Sequence, residues 1–234
     1  MGTKRHSVTV CDAEFLSPKL RRLRFEGRTL RGVKWTPGDK VKLRIRGKSR
    51  SYTPSAMSSV EGWIDVIFFL HGNGPGSRWA AGAEVGTSAV LSRPEKSIKR
   101  YKNAPEWAIF LGDETTLGLA NALLSSLPAG TPISGAIEIG LEDAHAVAKL
   151  RLPLAAETRM DHYGDALINW VARTPLPQGR GLIWIAGESV TVRTLKRMLD
   201  APDGCDAKIK TKSYWKSSHR HVSNQRTLTQ IAAK

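Results

Sequence analysis

The chain has 234 residues, 41% hydrophobic and 24% charged, a balance that belongs to a globular protein and excludes a disordered, collagen-like or disulfide-scaffold chain. Two cysteines, Cys11 and Cys205, cannot build a multi-disulfide framework or a cysteine-rich zinc site, and they fit a reducing compartment. Lysine and arginine outnumber aspartate and glutamate 36 to 21, a formal charge of +15 at pH 7. An anionic partner is therefore expected, and charge alone serves nucleic acid, dinucleotide phosphates and an anionic metal chelate equally.

The excess of cations is concentrated in the first fifty residues, from Arg21 to Arg50. No basic zipper, zinc finger or RNP-type aromatic pattern accompanies it, so nucleic-acid binding is not expected. No apolar run follows Lys4 and Arg5, and the longest apolar run, Val66-Ile67-Phe68-Phe69-Leu70, is far short of a membrane span. A cytoplasmic protein without membrane insertion is expected.

In chain order, short β-branched or alternating runs predict strands at 8–10, 20–25, 41–45, 50–54, 63–69 and 87–91. Ser17-Pro18, Pro37-Gly38-Asp39, Glu61-Gly62 and Val85-Gly86 supply turns between them. This spacing predicts a small antiparallel β-barrel. The polar stretch 92–96 reads as a linker. Beyond it, strands and helices alternate. A strand at 107–111 precedes a helix at 116–127 with Leu119, Leu123, Leu124 and Leu127 on one stripe. Strands at 135–139 and 157–160 follow, then a helix bearing Leu167, Trp170 and Val171. A strand at 182–186, a helix at 190–199 and a strand at 207–212 close the series. That alternation predicts an α/β domain with a parallel sheet. The expected division is a barrel domain at 1–98, an α/β domain at 99–216 and a basic tail at 217–234.

Two segments carry candidate chemistry in the first half. In Arg50-Ser51-Tyr52-Thr53, strand alternation puts Arg50 and Tyr52 on one face and Ser51 and Thr53 on the other. A guanidinium for a phosphate, an aromatic face for a flat ring and a hydroxyl for its edge make a flavin-holding set. The alternative is a strand with an exposed tyrosine. From Asp65 to Ala80 a buried strand runs into a turn with Gly72, Gly74 and Gly76, and then into a helix expected to start at Ser77. Backbone N–H groups freed by these glycines, with the helix N-terminus, form an anion cradle suited to a pyrophosphate. A tight loop without a ligand is the alternative.

Together these segments resemble the siderophore-interacting protein family of ferric-chelate reductases, within the ferredoxin-reductase-like flavoproteins. That family holds FAD on an Arg-x-Tyr-Thr strand and a His-Gly-x-Gly-Pro-x-x-x-Trp-Ala loop. The resemblance continues through Gly112-Asp113-Glu114-Thr115, Trp184-Ile185-Ala186-Gly187-Glu188 and Tyr214-Trp215-Lys216, in order along nearly the whole chain. It implies an FAD-binding β-barrel followed by an NAD(P)H-binding α/β domain. The implied cofactor contacts are Arg50, Ser51, Tyr52, Thr53, Leu70, His71, Gly74, Pro75, Gly76, Ser77, Gly112, Asp113, Glu114, Thr115, Gly187 and Glu188. Arg46, Lys48 and Lys216 are expected to attract the substrate, an anionic ferric siderophore or chelate. The chemistry implied is flavin-mediated, with no protein nucleophile and no metal ligand, and a monomer is expected.

At the sheet edge, the carboxylates of Asp113 and Glu114 suit ribose hydroxyls or a carboxamide better than a phosphate, while Thr115 serves equally as a helix N-cap. Gly187-Glu188 repeats the geometry, and Arg193, Lys196 and Arg197 either meet nucleotide phosphate or form a solvated helix face. The chain departs from the family pattern in four places. Ser55 stands where arginine is usual, and Ser92-Arg93-Pro94-Glu95 replaces a Gly-Pro-x-Gly turn. Gly118 replaces proline, and Ser218 replaces glycine. The Ser55 and Ser92 to Glu95 departures keep open a non-catalytic member with weakened FAD binding, and a general NAD(P)H:flavin oxidoreductase (diaphorase), told apart by its electron acceptor, is a further alternative.

Overall fold

The apolar run at 66–70 shows no alternation because the strand that bears it, Trp63–Phe69, is buried on both faces. Val66 and Phe68 point into the core of a curled antiparallel sheet, while Ile67 and Phe69 point out of it into a second core shared with the rest of the chain. The computed structural model describes residues 5–45, 47–72, 74–98, 103–200 and 205–217.

The first sheet has seven strands: β1 (Arg5–Ser17), β2 (Leu20–Glu26), β3 (Val41–Ile45), β4 (Lys48–Tyr52), β5 (Ala56–Ser58), β6 (Trp63–Phe69) and β7 (Ser88–Ser92). Their order is β4-β3-β7-β1-β2-β6-β5, all neighbours antiparallel, and β4 and β5 are its two ends. The expected barrel is thus a half-barrel, open between β4 and β5. β1 is much longer than the 8–10 run suggests. Register irregularities between Val10 and Asp12 and between Phe15 and Ser17 let one long strand curl around the core. The expected strand at 50–54 ends at Tyr52, because the chain turns through Pro54 before β5. The 92–96 stretch is stitched to the half-barrel by Lys40 and Glu95, which exchange backbone hydrogen bonds of 2.9 and 2.8 Å.

Helix α1 (Pro75–Gly82) closes the open mouth of the half-barrel, with Ala80 and Trp79 packed into its core. Trp79 stacks on Phe25 with ring centroids 6.2 Å apart. The buried Arg21 guanidinium donates to the carbonyls of Ala80 and Ala81 at 2.9 and 2.5 Å, satisfying acceptors that a helix end leaves free.

The second sheet is wholly parallel: β8 (Trp107–Asp113), β9 (Ile133–Ile139), β10 (Ala155–Thr158), β11 (Gly179–Glu188) and β12 (Cys205–Trp215). Its order is β10-β9-β8-β11-β12, so the strand order reverses between β8 and β11. Helices α2 (Leu117–Leu124) and α3 (His145–Lys149) join the core on the half-barrel side, while α4 (Asp165–Arg173) and α5 (Ser189–Leu199) cover the other. Helix α3 is a single turn without a legible apolar stripe, and the sequence pattern does not predict it. Among the described residues no helix is long and apolar enough to cross a membrane.

The two sheets share one core. Leu16, Leu20, Ile67 and Ile98 from the first half pack with Phe110, Leu117, Leu119, Leu123, Ile137 and Trp184 from the second. Polar contacts flank it. Ser17 Oγ donates to Asp143 Oδ1 at 2.6 Å, Lys19 pairs with Glu142 at 2.6 Å and Lys149 with Glu14 at 2.8 Å. Ser55 is buried at this junction, its carbonyl accepting from Asn121 Nδ2 at 3.0 Å. Gly118 lies opposite, where a Cβ would sit 2.8 Å from the Thr53 carbonyl oxygen. Gly118→Ala should therefore push α2 off this loop and destabilise the protein by about 1–3 kcal/mol, read as a lower urea midpoint. An unchanged midpoint would show that the loop yields freely.

Candidate functional site

The register of the β3–β4 hairpin fixes what β4 presents. Val41 pairs with Tyr52, Leu43 with Arg50 and Ile45 with Lys48, and directly paired residues share a face of the sheet. Tyr52, Arg50 and Lys48 therefore lie on the concave side with buried Val41, Leu43 and Ile45, while Ser49 and Ser51 face outward. Because β4 is the last strand, Lys48 and Arg50 reach the open rim and are exposed. Tyr52 is half-buried, its ring tilted against Phe68 at 4.6 Å, and burial pushes its phenol up, so it stays uncharged.

Tyr52 meets the glycine turn directly. Its hydroxyl occupies the space that a side chain at Gly76 would fill, with the Ile45 side chain also close. Gly74 is the N-cap of α1 and Pro75 its first residue, as that position favours. The first helical hydrogen bond runs from Arg78 N to Gly74 O at 3.0 Å, so the Gly76 and Ser77 amides lie ahead of it, and among the described residues no side chain caps them. His71 is exposed, its ring over Gly74 and tilted 37° to Phe69 at 6.1 Å. Leu70 anchors the turn, its N–H donating to Lys19 O at 2.7 Å.

The end of β4 also touches the second sheet. The buried Thr53 hydroxyl shares a short hydrogen bond with the Tyr214 hydroxyl of β12, and burial pushes the Tyr214 phenol up to about 12.

At the C-terminal ends of β8 and β11, the place where open α/β sheets bind ligands, the acids are committed to protein partners. Asp113 Oδ1 accepts from Thr115 N at 3.0 Å and Thr115 Oγ1 at 2.5 Å. Its Oδ2 accepts from Glu188 N and from Trp215 Nε1, each at 2.9 Å. This one carboxylate ties β8, β11 and β12 together beside Gly112, with Gly187 directly over it. Burial raises its pKa against those donors. Glu188 N-caps α5, accepting from Val190 N at 2.5 Å and Thr191 N at 2.9 Å, and also from Ser217 N at 3.2 Å. Burial raises its pKa, but these amides outweigh that and the net shift is downward. Glu114 is buried against Arg159, a residue the sequence pattern does not single out. Burial, with the Asp113 charge, pushes Glu114 up to about 7 despite that arginine. Arg159 also lies 3.9 Å from Glu138 and over the Tyr163 ring, whose edge meets Trp215 at 4.8 Å.

The geometry thus brings Arg50, Tyr52, Thr53, His71 and Gly74 to Ser77 around one opening, with Asp113, Glu114, Thr115, Gly187, Glu188 and Trp215 across the junction. Lys216 is exposed just beyond Trp215, and Arg46 lies outside the described residues. Arg193 and Arg197 are exposed on α5, and Lys196 pairs with Asp200 at 2.5 Å. Among the described residues no group of acids, histidines and cysteines forms a metal site.

Residues 105–218 match the sequence model for the siderophore-interacting protein family, and residues 44–98 that for the siderophore-interacting FAD-binding domain. The chain belongs to the siderophore-interacting protein family. It is 26% identical over 240 residues to the mycobactin import ATP-binding/permease protein IrtA of Mycolicibacterium smegmatis, an alignment covering 92% of this chain and 26% of that protein. It is 24% identical over 209 residues to the NADPH-dependent ferric-chelate reductase of Escherichia coli, covering 87% of this chain and 75% of that protein. The chain therefore spans about a quarter of IrtA and three quarters of the reductase. The crystal structure of a siderophore utilization protein from T. fusca superposes with a TM-score of 0.78 at 23% identity, covering 93% of this chain and 94% of that chain. The fold of this siderophore-interacting protein is that of ferredoxin-reductase-like FAD/NAD domains.

Two predictions test this geometry. Gly76→Ala should collide with Tyr52 and cost about 1–3 kcal/mol of stability, and adding Tyr52→Phe, which removes the hydroxyl in the way, should restore most of it. Equal urea midpoints for the single and double variants would refute the packing. The second concerns Glu114, whose folded pKa is raised, so its contribution to stability is full below about 4.5 and lost as pH rises to about 7. Glu114→Gln, which stays neutral, should lose less stability than the parent between pH 5 and pH 8. Parallel unfolding curves at the two pH values would contradict this.

Proposed function

We propose that this protein is a cytoplasmic, monomeric flavoprotein that carries electrons from NAD(P)H through FAD to a ferric siderophore or chelate. One NAD(P)H would reduce two Fe(III), giving NAD(P)+, a proton and two of the more weakly held Fe(II). The observation that carries this reading is the meeting of β4, the glycine turn and β12 at Tyr52 and Thr53.

The residues fit a flavin dinucleotide. A helix start whose N-cap is a glycine, an exposed arginine on the concave rim and a glycine cradle beside a neutral tyrosine make a donor set for a diphosphate and a flat ring. When bound, FAD converts the hydride of NAD(P)H into single electrons that a ferric ion can take. Arg50 and the Gly76 and Ser77 amides would hold the diphosphate, with Leu70, His71, Gly74 and Pro75 around it, while the Ser51 side chain, on the outward face of β4, is turned away from it. Tyr52 would support the flavin ring, and Thr53, held by Tyr214, would fix its edge. Hydride transfer needs its reacting atoms about 3–3.5 Å apart, so these residues work by orienting. Gly112, Asp113, Glu114, Thr115, Gly187 and Glu188 would shape the nicotinamide side by holding the strand ends and Trp215 rigid. Lys48 and Lys216 would attract the chelate.

The E. coli relative bears the name of a ferric-chelate reductase, which supports the substrate half of this reading. Purified protein should take up FAD with quenching of flavin fluorescence, and should then reduce a ferric chelate with NAD(P)H, read by an Fe(II) trap. Arg50→Ala should weaken FAD about ten- to a hundredfold. Protein that holds FAD and oxidises NAD(P)H, yet passes no electrons to any ferric chelate, would overturn the substrate half and leave a diaphorase. Failure to take up FAD would overturn the redox reading altogether.

A further inference from the structure

Three acids at the C-terminal ends of β8 and β9, Asp113, Glu114 and Glu138, are almost wholly buried. Two of them are satisfied by neutral donors. Asp113 has the amide, hydroxyl and indole donors already described, and Glu138 accepts from the Gly164 amide at 2.9 Å and the Ala166 amide at 3.2 Å. Glu114 relies instead on a charge, the guanidinium of Arg159. Arg159 Nε is buried, lies 3.9 Å from Glu138 and, among the described residues, makes no hydrogen bond. Without the Glu114 charge, Arg159 would keep only an acid beyond hydrogen-bond reach.

Arg159 lies over the Tyr163 ring, 5.0 Å from its centre. The Tyr163 backbone is pinned. Its carbonyl accepts from Thr191 Oγ1 at 3.3 Å, and Gly164, which follows, donates to Glu138 with a φ of 94° against the Thr191 side chain, where no Cβ fits. The ring is therefore the movable part, in contact with Arg159 and with Trp215, whose own ring stands at 87° to it with centroids 4.8 Å apart. Trp215 is held otherwise by Asp113, and it directly follows Tyr214, the partner of Thr53.

The groups around this pair come from several elements. Asp113 is on β8, Glu138 on β9 and Glu188 at the end of β11, while helix α2 carries no charged side chain and His71 beyond β6 is exposed. Asp161 and His162 are exposed in the loop that bears Tyr163. Lys19 and Glu142, paired with each other, feel the Arg159 charge from the junction, and Asp143 is held by Ser17 and Lys19. Burial and the Asp113 charge push Glu114 up to about 7, so it changes charge within the physiological range.

We propose that Arg159 is a positioning residue for Trp215: held by the Glu114 carboxylate, it fixes the Tyr163 ring, which holds Trp215 at the nicotinamide side of the opening, so that protonation of Glu114 loosens Trp215 and weakens nicotinamide binding. The proposal rests on the reading of this opening as a flavin and nicotinamide site and deepens it by naming a regulation of that site.

Fluorine NMR of the full chain labelled with fluorotryptophan tests it without any electron transfer, the Trp215 signal being assigned by its loss in Trp215→Phe. In the parent that signal should move with pH, with a midpoint of about 7. In Glu114→Gln, which is neutral throughout, it should stay where the parent's lies at low pH. Arg159→Gln should also abolish the titration, whereas Arg159→Lys, which keeps the charge, and Tyr163→Phe, which keeps the ring, should preserve it. His162→Gln should leave it unchanged. Unmoved signals from the other tryptophans report an intact fold in each variant. With FAD supplied, the KM for NAD(P)H should rise about three- to tenfold from pH 8 to pH 6 in the parent, with kcat changing less than about twofold, and should stay at the raised value in Glu114→Gln. The proposal is overturned if the parent's Trp215 signal does not titrate, if it titrates alike in Glu114→Gln or Arg159→Gln, if His162→Gln abolishes the titration, or if KM rises equally in parent and Glu114→Gln. Should the Trp215 signal follow Glu114 while the protein oxidises no NAD(P)H, the positioning role stands and the redox reading falls.

Discussion

The candidate site depends on a hydrophobic core that does not stop where the first sheet ends. Strand β6 is apolar on both faces, so the half-barrel cannot bury itself alone, and its outer face is covered by α2 and the parallel sheet. Burial of that shared surface brings the end of β4 to β12. At roughly 25 cal/mol per Å2 of apolar surface, a handful of leucine, isoleucine and phenylalanine side chains outweighs the single Thr53–Tyr214 hydrogen bond, worth about 1 kcal/mol. The hydroxyl pair sets alignment and the apolar core supplies adhesion.

Acids at the switch between β8 and β11 act in the same spirit. Asp113 spends both oxygens on backbone and indole donors from its own helix start and two other strands, and Glu188 caps α5 and holds Ser217. Their charges are absorbed within the protein, which leaves the strand ends rigid. Across the junction, Lys48 and Arg50 of β4 pair with no acid among the described residues. The two sides of the opening thus differ in character, one internally neutralised and the other cationic.

Much of this was legible in the sequence, because local patterns decide local structure. Leu119, Leu123 and Leu124 do form the buried stripe of α2, and Gly74-Pro75 marks the helix start, two residues before the expected Ser77. Alternation correctly put Arg50 and Tyr52 on one side of β4. What local pattern does not carry is pairing at a distance. Thr53 meets a residue 161 positions away, and the 107–113 and 179–188 strands become neighbours only through topology. The alternation Lys208-Ile209-Lys210-Thr211-Lys212 is plain in the sequence, yet which side of the sheet its lysines take follows only from the register with β11. Arg159 and Tyr163 carried no readable signal, since they sit in an irregular loop whose partners come from other strands.

Ser55 and Gly118 lie against each other, with the backbone of one close to where a side chain on the other would begin. Both residues are small, where the pattern that the sequence resembles has arginine and proline. The close approach of α2 to this loop therefore depends on small residues at both positions, and a larger side chain at either would press on the other's backbone.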